Sequence, residues 1–381
     1  MNVRMSGVGA LPDLDIALDG LTVVTGMNGT GKSTLLKAIY STVQPSHSFE
    51  SAKEVESRDR LRGIITNSLG LGAFGTESNV DALLKQAESI PENAISSNDL
   101  EALSFIKDLL RGKKDREFYA MRVEEAISIE YGSLSQFTNL RTKGQASVEI
   151  SYRNETNRYI LDSEKSGWSG STGRLPRVIY YDTPFVMDPF PGIHTYYDHR
   201  AILHRMIHDS TQSTIQNLIG RSNRENFDIA MKNIVGGEFT SGAGSYITPD
   251  GLKVDVRNMA AGMKVFAIMR ILLEKGCLSR DSILLLDEPE IHLHPSWINV
   301  LASAIIALVK DVGVRVVMTT HNPQLLMAIE GKSHDVGLQT DYYNLTMDED
   351  GIGFSEISDD LQPVYAEMAR PLIEISRQFL E

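Results

Sequence analysis

Residues 26–33, GMNGTGKS, match the pattern G-x-x-x-x-G-K-[ST], and their surroundings restrict the fold more than any other feature of the chain. Residues 21–25 (LTVVT) are a β-branched run, and Leu35, Leu36 and Ile39 beyond the motif have helical spacing. A strand, a glycine loop and a helix therefore follow one another. Gly26, Gly29 and Gly31 let the backbone curl so that successive N–H groups point inward at phosphate oxygens, and the helix adds its positive N-terminal end. Lys32 is placed to reach the β- and γ-phosphates of ATP, and the Ser33 hydroxyl to ligate Mg²⁺. The expected nucleotide contacts are Gly26, Asn28, Gly29, Thr30, Gly31, Lys32, Ser33 and Thr34.

Two further strand ends carry polar chemistry. In residues 282–289 (SILLLDEP), apolar residues take the chain through a sheet and deliver Asp287 and Glu288 to the strand's C-terminal end. That edge is where ligands bind in open α/β sheets. Asp287 suits Mg²⁺, directly or through water, and Glu288 suits a general base acting on water. A solvated acidic strand end is the plainer alternative. Residues 316–323 (VVMTTHNP) read as a strand ending in Thr320, His321 and Asn322. A histidine there can contact a γ-phosphate and sense its loss, or it can cap or pack. Catalytic roles are thus expected for Lys32, Glu288 and His321, and metal ligation for Ser33 and Asp287.

The 381 residues suffice for one large α/β domain with insertions, or for two domains. A net charge of −13 excludes a surface that coats nucleic acid or anionic membrane as a whole, so any such contact needs a local patch. The single cysteine, Cys277, excludes an internal disulfide framework and a cysteine zinc site. The opening residues hold no apolar signal core, and no apolar run is read as reaching the roughly 18–20 residues of a membrane span. A cytoplasmic protein with no membrane partner is expected.

Strands are expected at 2–6, 14–18, 177–181, 283–286 and 314–319, and a hairpin over 146–162. Helical patterns occupy 80–130, 198–234, 259–275 and 295–310, while 41–60, 167–173 and 236–244 read as loops. Alternating apolar strands and helices argue for an α/β fold with a mixed, largely parallel sheet. The expected division is 1–40 with 140–185 as an N-terminal lobe containing an antiparallel β subdomain, 41–139 as a helical insertion and 186–245 as a helical subdomain. The half carrying the acid pair and His321 spans 246–345, and 346–381 is a C-terminal tail ending in a helix.

The segments GMNGTGKST, SILLLDEPEIHLHP and VVMTTHNPQLL together resemble the ABC-type ATPases of the SMC/RecF/OLD-like group, a set that includes AAA family ATPases of bacterial anti-phage defence. The matched segments cover about a third of the chain. The resemblance implies an ABC-type P-loop ATPase head that hydrolyses ATP with Mg²⁺. It also implies that two heads clamp nucleotide in trans, giving a homodimer or higher homo-oligomer that controls a separate effector, a nuclease or toxin. The family's signature segment falls on residues 258–276, with Ala261, Gly262 and Lys264 as expected nucleotide contacts from the opposite subunit. Ala260 stands where the family has serine, so one hydrogen bond to the γ-phosphate is missing. Slow hydrolysis follows, or an ATP-binding scaffold with negligible turnover. Gln136 and Gln145 are the candidates for the family's glutamine loop.

Other features have two readings each. His204 and His208 share a helix face with His199 nearby and could hold a metal, or line a contact face. The run RGKKDR (111–116), and Arg221, Arg224 and Lys232, could touch nucleic-acid phosphates or be solvated. The aromatic stretch Tyr180, Tyr181, Phe185, Phe190, Tyr196 and Tyr197 is a docking surface, or a core strand followed by a packed loop.

Overall fold

The computed structural model describes residues 1–69, 79–138, 144–162, 166–170, 175–189, 198–209, 225–348, 351–357 and 360–380. The N-terminal part contains β1 (Asn2–Ser6), β2 (Leu14–Ala17), β3 (Leu21–Gly26) and α1 (Lys32–His47). Helices α2 (Phe49–Leu69), α3 (Val80–Glu88), α4 (Ser97–Leu110), α5 (Asp115–Tyr131) and α6 (Leu134–Phe137) follow. Then come β4 (Ala146–Tyr152), β5 (Glu155–Leu161), β6 (Ser166–Ser169), β7 (Arg177–Tyr181), α7 (His199–His208) and α8 (Glu225–Val235). A small hairpin region, β8 (Glu238–Phe239), β9 (Ser245–Ile247) and β10 (Lys253–Asp255), leads into α9 (Ala261–Glu274) and β11 (Ser282–Asp287). The chain ends with α10 (Pro295–Ala307), β12 (Arg315–Thr320), α11 (Pro323–Asp335), β13 (Thr340–Asp348), β14 (Gly351–Ile357) and α12 (Gln362–Leu380).

The central sheet has the order β14-β13-β3-β12-β11-β7. From β13 to β7 every pairing is parallel, and only the edge strand β14 runs antiparallel. Side chains alternate across these strands and so feed two cores. Leu21, Val23, Leu284, Leu286, Val316 and Met318 enter a core built with α8, α9, α10 and α11. Val24, Ile283, Leu285 and Val317 enter another, built with α1, α5 and the antiparallel sheet β2-β1-β4-β5-β6. Burial on both faces explains why the parallel strands read as unbroken apolar runs. A satellite core joins α2, α3 and α4 through Leu61, Ile64, Ile65, Leu83 and Ile106.

The structure departs from several sequence expectations. Residues 41–60 are helical, not a loop. Some of their polar side chains are bonded inside the fold: Thr42 Oγ1 donates to Ala38 O at 2.7 Å within α1, and Ser46 Oγ accepts from Leu175 N at 2.7 Å. Pro45 sits in the last turn of α1, at the cost of the one ladder bond its N–H would have donated one turn back. The expected loop 167–173 includes part of β6, anchored by buried Trp168, whose ring lies 4.2 Å from that of Tyr119; residues 171–173 lie outside the described residues. The loop 236–244 includes β8, which pairs with β9. The proposed start of the tail at residue 346 falls inside β13, which is a sheet strand beside β3. Phe190, Tyr196, Tyr197, Arg221 and Arg224 also lie outside the described residues.

The segment Pro295–Val312 is long and apolar enough to cross a membrane, contrary to the reading that no run reaches that length. Half of it is buried inside the fold, where Ile298, Leu301 and Ile305 pack into the core.

Candidate nucleotide site

Parallel pairing places the C-terminal ends of neighbouring strands along one edge, and the register sets their level. Thr25 pairs with Thr320, and Asp287 with Thr319. The loops after β3, β11 and β12 therefore leave the sheet side by side. This brings residues 26–34, 287–290 and 320–322 together.

The glycine loop is shaped by steric limits. Gly26 has φ 146°, and a Cβ there would lie 2.4 Å from Leu345 O. Gly31 has φ 96° and caps α1 without a side chain; a Cβ would lie 2.7 Å from Leu11 Cδ2. Only glycine fits both positions. The helical ladder begins with Leu35 N donating to Gly31 O, so the amides of residues 32–34 belong to the open first turn. Met27, Asn28, Gly29 and Ser33 are exposed, Thr34 is half-buried, and Thr30 is buried with its hydroxyl on Met27 O.

Lys32 is buried. Its Nζ donates to Gly26 O at 2.8 Å and Met27 O at 3.0 Å, and lies 3.3 Å from Glu288 Oε1. His321 Nδ1 lies 3.0 Å from the same oxygen. Asp287 is fixed at both oxygens: Thr319 Oγ1 donates to Oδ1 at 2.6 Å and Tyr180 OH to Oδ2 at 3.0 Å. Glu288 has φ 46°, a left-handed conformation that is strained for a side-chain-bearing residue, and its N–H is held by Thr319 O at 3.2 Å. Glu290 is buried, and Thr320 Oγ1 donates to it. Burial pushes the Glu290 carboxyl up to about 7 against the opposing effect of the Thr320 hydrogen bond. Asn322 caps α11, accepting from Gln324 N and Leu325 N, which sets the backbone direction just after His321.

The expected signature segment forms the start of α9. Ala260 is the N-cap and is exposed, with no side-chain hydrogen bond, and Ala261 is half-buried. Packing gives Lys264 and Gly262 roles inside the chain. Lys264 is 1% exposed, with Nζ on Asp188 and 5.5 Å from the Phe185 ring centroid, so its charge is already paired inside the chain. Gly262 is buried, and a Cβ would meet His292 O at 3.0 Å, so its smallness serves helix–loop packing.

Sequence reasoning passed over Tyr180, Thr319, Thr320 and Glu290 as site residues. Their roles depend on cross-strand register, which no local pattern displays. His199 is buried rather than surface-exposed. His204 and His208 do share a helix face, but their ring nitrogens face backbone carbonyls of Val186, Met187 and Gly242. The basic run 111–116 forms the turn between α4 and α5, with Lys113 on Asp108 and Lys114 on Glu117.

Residues 21–328 match the family described as "AAA domain, putative AbiEii toxin, Type IV TA system". The chain belongs to this family. The matched span contains the glycine loop, the acid pair and His321, so the resemblance to AAA family ATPases holds, as does the mixed, largely parallel fold. No curated protein matches the chain. Among solved structures, the SMC head domain from Thermotoga maritima is 11% identical, covering 94% of this chain and 98% of that one at a TM-score of 0.41. The SmcHead bound to the C-winged helix domain of ScpA is 11% identical, covering 94% and 97% at 0.45. The Smc head domain with an extended coiled coil bound to the C-terminal domain of ScpA derived from Pyrococcus furiosus is 10% identical, covering 99% and 98% at 0.42.

Proposed function

We propose that this AAA domain binds and slowly hydrolyses Mg-ATP, and that nucleotide state controls its assembly and its hold on a separate effector protein. The observation carrying the reading is the convergence of Lys32 and His321 on the Glu288 carboxylate, beside Asp287, at one sheet edge. The open amides of residues 32–34 and the Lys32 ammonium receive the phosphates. Ser33 and Asp287 offer hard oxygen donors, the type Mg²⁺ prefers. Bound Mg²⁺ would offset charge that develops on the transferred phosphoryl group. Glu288 accepts the proton of the attacking water once phosphate draws Lys32 away from it. His321 orients that carboxylate and contacts the γ-phosphate.

In a second copy, the first turn of α9, with Ala261 and Gly262, would cover the nucleotide through backbone amides and the helix dipole. Without a serine at Ala260, the loss of one charged hydrogen bond, roughly 1.5–3 kcal/mol, slows the reaction or weakens closure about 10–150-fold. The same residue favours a second reading, an ATP-binding scaffold with negligible turnover. The family's description names a toxin of a type IV TA system, which supports a toxin as the activity under nucleotide control; a nuclease as effector, a role in bacterial phage defence and a cytoplasmic location belong to the same proposal. Nucleic acid as a partner has in its favour the basic run 111–116 and the cluster Arg221, Arg224 and Lys232.

Light scattering on Glu288→Gln protein with and without Mg-ATP tests the clamp. A mass increase with ATP supports it, and the trapped assembly becomes bait for the effector. An unchanged mass favours the scaffold.

A further inference from the structure

A buried polar chain runs from the helical segment to the acid pair, and nothing in the proposed mechanism uses it. Tyr180, on β7, is 1% exposed, and its hydroxyl reaches Asp287 Oδ2. Burial and the Asp287 carboxylate push the phenol well above its ordinary pKa, so it stays a donor. Its ring stacks on His199 at 4.3 Å and 26°. His199 is pinned in turn: Nδ1 lies 2.8 Å from both Glu130 oxygens, its backbone N–H donates to Glu130 at 3.0 Å, and Nε2 lies 3.2 Å from Asp182 Oδ2.

Glu130 lies in the last turn of α5. That same turn grips the phosphate-loop helix. Lys37 Nζ donates to Glu130 O at 3.0 Å, and Tyr131 OH donates to Thr34 O at 2.7 Å. The end of α5 thus reaches the residue after Ser33 directly, and Asp287 through His199 and Tyr180. A core tyrosine needs only one acceptor for its hydroxyl. Here the acceptor is the acid-pair aspartate, whose other oxygen is fixed by Thr319. Each carboxylate oxygen retains a lone pair after these bonds, so the rotamer is fixed while the metal-facing capacity remains.

We propose that Tyr180 is a positioning residue that sets the Asp287 carboxylate for its divalent cation, and that the His199–Glu130 contact ties this setting to the end of α5. The proposal rests on the reading of Asp287 as a metal ligand. Movement of the helical segment, for example on partner binding, would then be felt at both the phosphate loop and the metal ligand.

The test is a titration of wild type, Tyr180→Phe, Glu130→Gln and Asp287→Asn with a fluorescent N-methylanthraniloyl ATP, in EDTA and at increasing Mg²⁺. Melting curves verify that each variant folds. Tyr180→Phe keeps the ring and its stacking, so it should fold as wild type does. Its EDTA affinity should stay within about twofold, while the Mg²⁺ concentration for half-maximal enhancement rises about 3- to 10-fold, the effect of one lost hydrogen bond. Glu130→Gln should shift the same midpoint in the same direction by less. Asp287→Asn should lose the Mg²⁺ enhancement. An unchanged midpoint in Tyr180→Phe, with the enhancement lost in Asp287→Asn, overturns the proposal and leaves Tyr180 a core residue. A full effect at Tyr180 with none at Glu130 overturns the link to α5. Enhancement that survives Asp287→Asn overturns both the proposal and the metal reading beneath it.

Discussion

Lys32 Nζ and Glu288 Oε1 lie 3.3 Å apart, the lysine almost wholly buried and the glutamate side chain 19% exposed. The pair joins the glycine loop to the acid pair, so each side chain restrains the other. Lys32→Ala should therefore weaken Mg-ATP binding by more than about 10-fold, the scale of a lost charge-assisted hydrogen bond. Equilibrium titration with labelled ATP measures this, and retained affinity would remove Lys32 from the phosphate site.

Glu288 also holds a backbone conformation that favours glycine. Such strain costs roughly 1–3 kcal/mol. Glu288→Gly and Glu288→Ala both remove the carboxylate, but only the alanine keeps the strain. The glycine variant should melt roughly 1–3 °C above the alanine variant, since about 1 kcal/mol moves the midpoint of a chain this size by roughly 1–2 °C. Equal melting points would mean that the turn relaxes freely.

Ala260 caps α9 without a side-chain acceptor. Ala260→Ser should add a helix cap, stabilising the fold by about 0.5–2 kcal/mol. If the start of α9 faces nucleotide from a second copy, the variant should also raise turnover or ATP-linked assembly several-fold. A gain in stability with no change in either would make this helix start a structural element only.

The buried imidazole of His199 gives a pH signature. Burial alone would lower its pKa, but Asp182 and Glu130 outweigh burial and push it up to about 9. A pKa raised on folding means that the stabilisation is full below about 6.5 and is lost as pH rises through about 9. The stability difference between wild type and His199→Gln should therefore narrow between those values, by on the order of 3 kcal/mol. Denaturant midpoints across that range measure it. A difference that stays constant would place the charge elsewhere.

The parts of this site that were legible in the sequence are those where chemistry and local geometry coincide in a few consecutive residues. GMNGTGKS carries its own turn glycines, and SILLLDEP carries its own strand. Residues acting across strands were not legible. Thr319 and Tyr180 meet Asp287 only because β12 and β7 flank β11 in parallel register. Lys264 was expected at the nucleotide from the match to the family's signature segment, yet Asp188 and Phe185 hold it inside the chain. In the fold, the serines, threonine and proline of 41–60 suggest a loop, yet α1 and α2 run through them, with Thr42 bonded to the carbonyl one turn back. The place of β13 beside β3 depends on long-range pairing that no local sequence pattern specifies.

The most direct measurement is phosphate release from Mg-ATP by wild type and by Glu288→Gln, with ATP binding verified for both. Slow but measurable wild-type turnover is expected, with a loss of about 100-fold or more in the variant, the scale of a missing general base. Release at the wild-type rate by Glu288→Gln would contradict the assignment of Glu288 as the base.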